Sequence, residues 1–294
     1  MTLMHHYATD TCGHLFKGAE QVQVWQHDIP ALAASNAILV HGFLAVTALH
    51  SAWKEPARRE LYRSRALHHH SLGLPMFQQM IASTSSETAE VVVAYSILLS
   101  IWVYAYPEIA AEQPSLDDIL GTIEVIRSSR TVSRRYREAI MASPMRVFLS
   151  PPLPVPNRKD QDSPVRKILQ PLQDQVNHQF NKNAAQLLQM FLERYMSGSD
   201  HNRLAATWMA SVEDDFWAHL RDHNPEAVLV FCYSTLLIRA SEHECWWMSG
   251  WSERILQACS SIMSPEEKAG IDWGRHEHRI RAGADELAVS RVAI

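Results

Sequence analysis

AEVVVAYSILLSIWVYAY, residues 89–106, is the stretch whose reading decides the fold. It carries one charge, Glu90, and two serines among its apolar residues, Ser96 and Ser100. A bilayer needs about 20 apolar residues, so the run is long enough to cross one. It lacks a basic flank to anchor it at an interface, and an all-round apolar helix is also what the centre of a large helical domain requires. The run is therefore read as a core helix, and no membrane span is expected.

Outward from this run, apolar residues recur at three- and four-residue spacing almost everywhere, and few segments alternate in polarity with β-branched enrichment. Only 10 glycines interrupt the chain. The expected fold class is all-α, with helices at Thr2–Phe16, Ala31–Trp53, Pro56–Ser83, Thr88–Ala110, Leu116–Ala142, Val165–Ser197, His201–Asp222, Pro225–His243, Trp246–Ile262 and Glu266–Arg281. Proline at a helix start forgoes an N–H that has no intrahelical partner anyway, so Glu55-Pro56, Asn224-Pro225-Glu226 and Ser264-Pro265-Glu266-Glu267 mark three of these starts. Gly73 and Pro75, inside one helical stretch, predict a kink or break. Residues 150–164, SPPLPVPNRKDQDSP, hold five prolines and a polar second half, which reads as a surface loop. The apolar faces on both sides of this loop are too broad to be covered locally. The expected architecture is a single large irregular helical domain, residues 1–294, with an apolar central pocket and this internal loop.

With 47% hydrophobic residues, 294 residues fill a sizeable core. Lys and Arg number 27 against 32 Asp and Glu, a net charge of −5, which gives no overall reason to bind nucleic acid or an anionic membrane. Cys12, Cys232, Cys245 and Cys259 stand far apart, form no C-x-x-C pair and fit a reducing compartment. The start, MTLMHHYATDTC, lacks the basic end and apolar run of a secretory signal. The expected location is cytoplasmic, nuclear or both.

Motifs of catalysis are absent. G-x-S-x-G, G-x-x-x-x-G-K-[ST] and G-x-G-x-x-G do not occur, and no cofactor is expected. Sixteen histidines invite a metal reading, but neighbours on a helix point about 100° apart, so His5-His6 and His68-His69-His70 offer at most one ligand per face. His219 and His223 have four-residue spacing without the glutamate of H-E-x-x-H, and His276/His278 is a bare pair. His41 and His50 lie on an apolar helix and read as hydrogen-bonded core histidines. Asp117-Asp118 and Asp214-Asp215 lack the third carboxylate at i+4 that a diphosphate-metal site would use. No metal site is expected. Arg127, Arg130, Arg134, Arg135 and Arg137 put guanidiniums on one helical side, which reads as a solvated face.

WWMSGW, Trp246–Trp251, holds three of the nine tryptophans around Gly250. Each indole can bury on the order of 200 Å² and needs a partner for its N–H, so the cluster marks an element junction or a pocket wall.

Three stretches together resemble the regulatory domain of fungal binuclear-zinc-cluster transcription factors, the sterol uptake control regulators in particular. They are Leu3–Leu15 (LMHHYATDTCGHL), Trp25–Trp53 (WQHDIPALAASNAILVHGFLAVTALHSAW) and Cys245–Trp251 (CWWMSGW) with Trp273 downstream. The similarity spans most of the chain and is weakest from about residue 143 to 200. It implies an all-helical domain with a deep apolar pocket that, in sterol-sensing members, takes ergosterol and controls nuclear import or activation. Trp246, Trp247, Gly250 and Trp251 match the family's aromatic-glycine segment near that pocket. Phe43, Trp102 and Tyr233, from the three most apolar helices, are added as expected lining.

The partners so implied are a lipophilic small molecule, sterol- or terpenoid-like, and a second copy of the chain. Four scattered cysteines cannot supply the six-cysteine DNA-binding module that precedes this domain in the family. The chain thus reads as a piece of a longer regulator or as a stand-alone ligand-binding protein, with no direct nucleic-acid binding by this segment. The alternatives are a cyclase or isomerase of a terpenoid or polyketide pathway reusing the same pocket, and a helical interaction protein with a filled core.

Overall fold

The 89–106 run forms the middle of one helix, Ala89–Ala110, in the computed structural model, which describes residues 2–149, 163–198, 204–242 and 244–292. By length and composition this helix could cross a membrane, yet 67% of its most apolar window is buried inside the protein. Glu90, the charge in its first turn, is half-buried, and desolvation raises its carboxyl above the ordinary range. The chain is 84% helical, with no strand among the described residues, as the apolar spacing requires. The predicted loop at 150–164 lies outside the described residues, except for Ser163 and Pro164, where a helix begins.

Two compact units are distinguished. Unit 1 comprises Met1–Gln113, Glu124–Pro151 and Glu244–Ser249; unit 2 comprises Pro114–Ile123, Pro152–His243 and Gly250–Ile294.

In unit 1 the helices Ala37–Lys54, Arg59–Ala82 and Ala89–Ala110 pack on one another. Tyr95 is the wedge between them. A Cβ on Gly42 would come within 3.0 Å of the Tyr95 ring and 2.8 Å of Leu98, and one on Gly73 would meet the Tyr95 hydroxyl at 2.7 Å. The two glycines are the clearance that lets three helices close around one aromatic ring. Phe77 stacks on its other side at 4.8 Å. Of the kink or break expected at Gly73 and Pro75, a break does not occur: the Arg59–Ala82 helix runs through both.

The N-terminal helix contains a π turn at Tyr7–Thr11, and a second π turn spans Val24–Asp28. Each inserts an extra residue into the helical register, a feature that recurs at functional sites. The predicted 31–53 helix is two, Ile29–Ala33 and Ala37–Lys54, separated where Asn36 turns out of helical geometry.

Unit 2 is organised on Pro225–Glu242, in which every residue from Ala227 to Ile238 is buried. The helices Pro164–Gln175, Gln179–Met196, Trp251–Ile262 and Trp273–Val292 surround it. Its start is capped by Asn224, whose Oδ1 accepts from Ala227 N at 3.1 Å. Ser264 and Glu267 form a full capping box at the next predicted start. The acidic pairs are also helix starts. Asp117-Asp118 and Asp214-Asp215 fall in first turns, where a carboxylate complements the helix dipole, and Asp118 accepts from Ser115 N and Oγ.

Candidate functional site

The tryptophan motif divides between the units. Trp246–Met248 is one turn of 3₁₀ helix in unit 1, and Trp251 opens the Trp251–Ile262 helix of unit 2. The expected continuous helix from 246 is interrupted because Gly250 sits at φ 76°, a left-handed backbone that side chains with a Cβ rarely adopt. Gly250 is needed for this turn.

In unit 1, Trp247 is anchored. Its Nε1 donates to Leu15 O at 3.0 Å, and Phe16 and Tyr104 lie against its ring at 6.4 and 5.6 Å. Trp246 is equally buried, but its Nε1–H has no hydrogen-bond partner. Its ring lies 4.8 Å from His50 and 6.0 Å from the exposed Trp53. His50 is a hydrogen-bonded core histidine as expected, with Nδ1 3.0 Å from Thr11 Oγ1; burial pushes its pKa down to about 4. Beside it stand Asp10 and His14, which approach each other at 3.1 Å, and Lys54, whose Nζ is 2.7 Å from the second Asp10 oxygen.

A second aromatic site lies on the same three helices. His70 stacks flat on Trp102 at 4.0 Å, with Tyr106 behind at 5.2 Å. They border a crevice lined by Gly42, Ala45, Val46, Tyr95, Leu98 and Leu99 with His70 and Trp102, whose ≈ 10 Å³ is room for about one water. One turn away, His41 and His69 face each other Nδ1 to Nδ1 at 3.2 Å. Burial lowers the pKa of His41, His69 and His70, and neighbouring histidines add to the effect on the first two. Successive histidines of the 68–70 run thus serve different partners, as a 100° step per residue dictates.

Residues 2–130 match the family model described as the fungal specific transcription factor domain. The match supports a fungal transcription-factor regulatory domain in this segment. No curated protein matches the chain significantly.

All eight residues of the Trp102 crevice belong to the matched regulatory segment, as do Phe43, His50 and Trp53. Phe43 is fully buried and stacks on Tyr7 at 4.4 Å, while Tyr7 donates to Trp25 O at 2.6 Å. Among the expected lining residues, Trp246, Trp247, Phe43 and Trp102 belong to unit 1. Gly250, Trp251 and Tyr233 belong to unit 2. There Trp251 is buried at the first position of its helix, and Glu242 caps the same helix, accepting from Ser252 N at 2.6 Å and Ser252 Oγ at 3.1 Å. The hydroxyl of Tyr233 is 2.9 Å from His276 Nδ1, both buried, and desolvation drives the tyrosine pKa up and the histidine pKa down.

Three groups were missed in the sequence: His70 on Trp102, His41 on His69, and Asp10 with His14 and His50. The i,i+4 spacing of Asp10 and His14 is visible in the chain. The approach of His50, some forty residues away, is not.

Proposed function

We propose that the chain is the ligand-sensing part of a fungal transcription regulator, acting in the nucleus, and that its signal is a flat lipophilic molecule with one hydroxyl, of the sterol class. The regulatory role follows from the family of residues 2–130. The observation that carries the ligand is the indole N–H of Trp246, buried, without a hydrogen-bond partner and beside the exposed ring of Trp53. Leaving such a donor unsatisfied costs about 1–3 kcal/mol. A hydroxyl oxygen accepting from it would recover that cost while the sterol's flat face covered Trp53.

In this reading Trp247, fixed through Leu15 O, and Phe43 hold the wall in place, and the Trp102 crevice is a second apolar surface that opens only if His70 swings off Trp102. Gly250, Trp251 and Tyr233 set the backbone and core of unit 2, and their ligand role rests on the resemblance alone. The ligand would act by binding one of two conformations, or one association state of the chain, more tightly than the other.

Ergosterol titrated into the purified chain should quench or shift tryptophan fluorescence and raise the melting temperature. Trp246→Phe keeps an aromatic ring, though a smaller one, and removes the N–H, and should weaken binding at least about five- to tenfold. Absence of any stabilisation by ergosterol, with no lipophile in a solvent extract of the purified protein, would overturn the ligand. Sedimentation with and without ergosterol tests the association state. Deleting the gene should lower transcripts of a whole pathway; normal transcripts with one accumulated intermediate would instead mark an enzyme.

A further inference from the structure

We propose that Asp10, His14 and His50 form a binding site for a divalent transition-metal ion of the zinc class. One carboxylate oxygen and one ring nitrogen from each histidine all lie within 4.8 Å of one another. Imidazole nitrogen with carboxylate oxygen is a donor set suited to Zn²⁺, Co²⁺ or Ni²⁺ and poorly suited to the harder Mg²⁺ or Ca²⁺.

The arrangement is that of a helical metal site. Asp10 and His14 stand four residues apart on the N-terminal helix, just where the Tyr7–Thr11 π turn resets the register, and His50 reaches in from the Ala37–Lys54 helix. Four-coordinate zinc holds its ligands at about 2.0–2.1 Å, which places donor atoms about 3.3 Å from each other. The Asp10–His14 pair is already at 3.1 Å. The wider separations, up to 4.8 Å, close as the His14 ring, 54% exposed and 5.6 Å from the His50 ring, gives up the 2.8 Å contact of its Nδ1 with Asp10 O.

His50 is the fixed ligand. Thr11 Oγ1 sits 3.0 Å from its Nδ1, and the rings of Trp53 and Trp246 lie at 6.1 and 4.8 Å. A ring held by an outer hydrogen bond and by packing is what orients a metal-ligating histidine. Lys54 now neutralises Asp10 through its second oxygen at 2.7 Å. A metal ion would take over that neutralisation and release the half-exposed lysine to solvent. Three protein ligands leave a fourth position for water on the exposed side of His14.

The test uses the full chain, treated with chelator, dialysed and titrated with Zn²⁺ by calorimetry and with Co²⁺ by visible absorption. One equivalent should bind, with cobalt bands of tetrahedral character and quenching of tryptophan emission, because Trp53 and Trp246 adjoin His50. His14→Ala removes a ligand from an exposed position, so the fold survives, and should weaken binding at least about tenfold. Asp10→Asn should do the same, whereas alanine at His68, away from the cluster, should leave affinity unchanged. No stoichiometric binding at micromolar metal, or binding by the His14 and Asp10 variants as tight as by the parent, would overturn the site. Loss of binding in the His68 variant alone would move the metal to the other histidine run and equally overturn it. Ergosterol binding by the same preparations reads the sterol proposal separately.

Discussion

The two units use aromatic rings for different purposes. In unit 2, Trp208, Phe216, Trp217 and Phe231 meet edge to face at 5.2–6.2 Å, all fully or nearly fully buried, and Trp208 spends its N–H on Ala184 O at 3.3 Å. In unit 1 the rings repeatedly meet histidines: His70 on Trp102, and His50 on Trp53 and Trp246. Edge-to-face rings gain about 0.5–1.5 kcal/mol beyond their area. A histidine against an indole keeps a ring nitrogen for hydrogen bonding, metal or a proton. The Trp208–Phe231 cluster of unit 2 is built as a dry core, with the Tyr233–His276 pair apart from it, whereas unit 1 sets histidines directly on its indoles.

The strongest way to break this contrast is Trp217→Ala. It should cost about 3–5 kcal/mol in urea unfolding, since the neighbouring rings cannot collapse into the space. A loss below about 1 kcal/mol would show that the unit 2 cluster is no more a packed core than the rings of unit 1. Gly42→Val sharpens the comparison from the other side. Added methyls would press on Tyr95 and Leu98 and should destabilise unit 1 by about 1–3 kcal/mol, again read by denaturant midpoint.

Acidification should give the smallest and most local effect. His41, His69 and His70 bind protons more weakly in the fold than in the unfolded chain. Their contribution is therefore complete above a pH of about 6.5, the ordinary histidine value, and is lost as pH falls below it. Hydrogen exchange at pH 5.5 against pH 7.5, corrected for intrinsic rates, should show protection falling more in 37–82 than in 227–238. Unit 2 carries the same sign of shift at His276, so equal loss in both units would erase the distinction.

Local features were readable in the chain for physical reasons. The 89–110 helix, the caps at Asn224 and Ser264 and the acidic first turns depend on spacing over a few residues. The helix predicted without interruption at 246–262 failed because a glycine at positive φ and a helical glycine look identical in sequence. The helix is not broken at Gly73, where a kink or break was expected, for the converse reason: the close neighbour of this glycine is Tyr95, on another helix. Of the expected ligand residues, the tryptophan motif announced its importance by composition, but only contacts show that Trp247 is anchored and Trp246 is not.

The sequence by itself determined an all-α chain, a buried apolar central helix and a regulatory family segment, because periodicity and pattern are properties of neighbours along the chain. The tertiary structure alone decided which histidine meets which ring, that His50 stands beside Asp10 and His14, and that the Trp246 indole keeps an unspent N–H. Those relations join residues tens to hundreds of positions apart. They are fixed by how whole helices pack, and no local spacing encodes them.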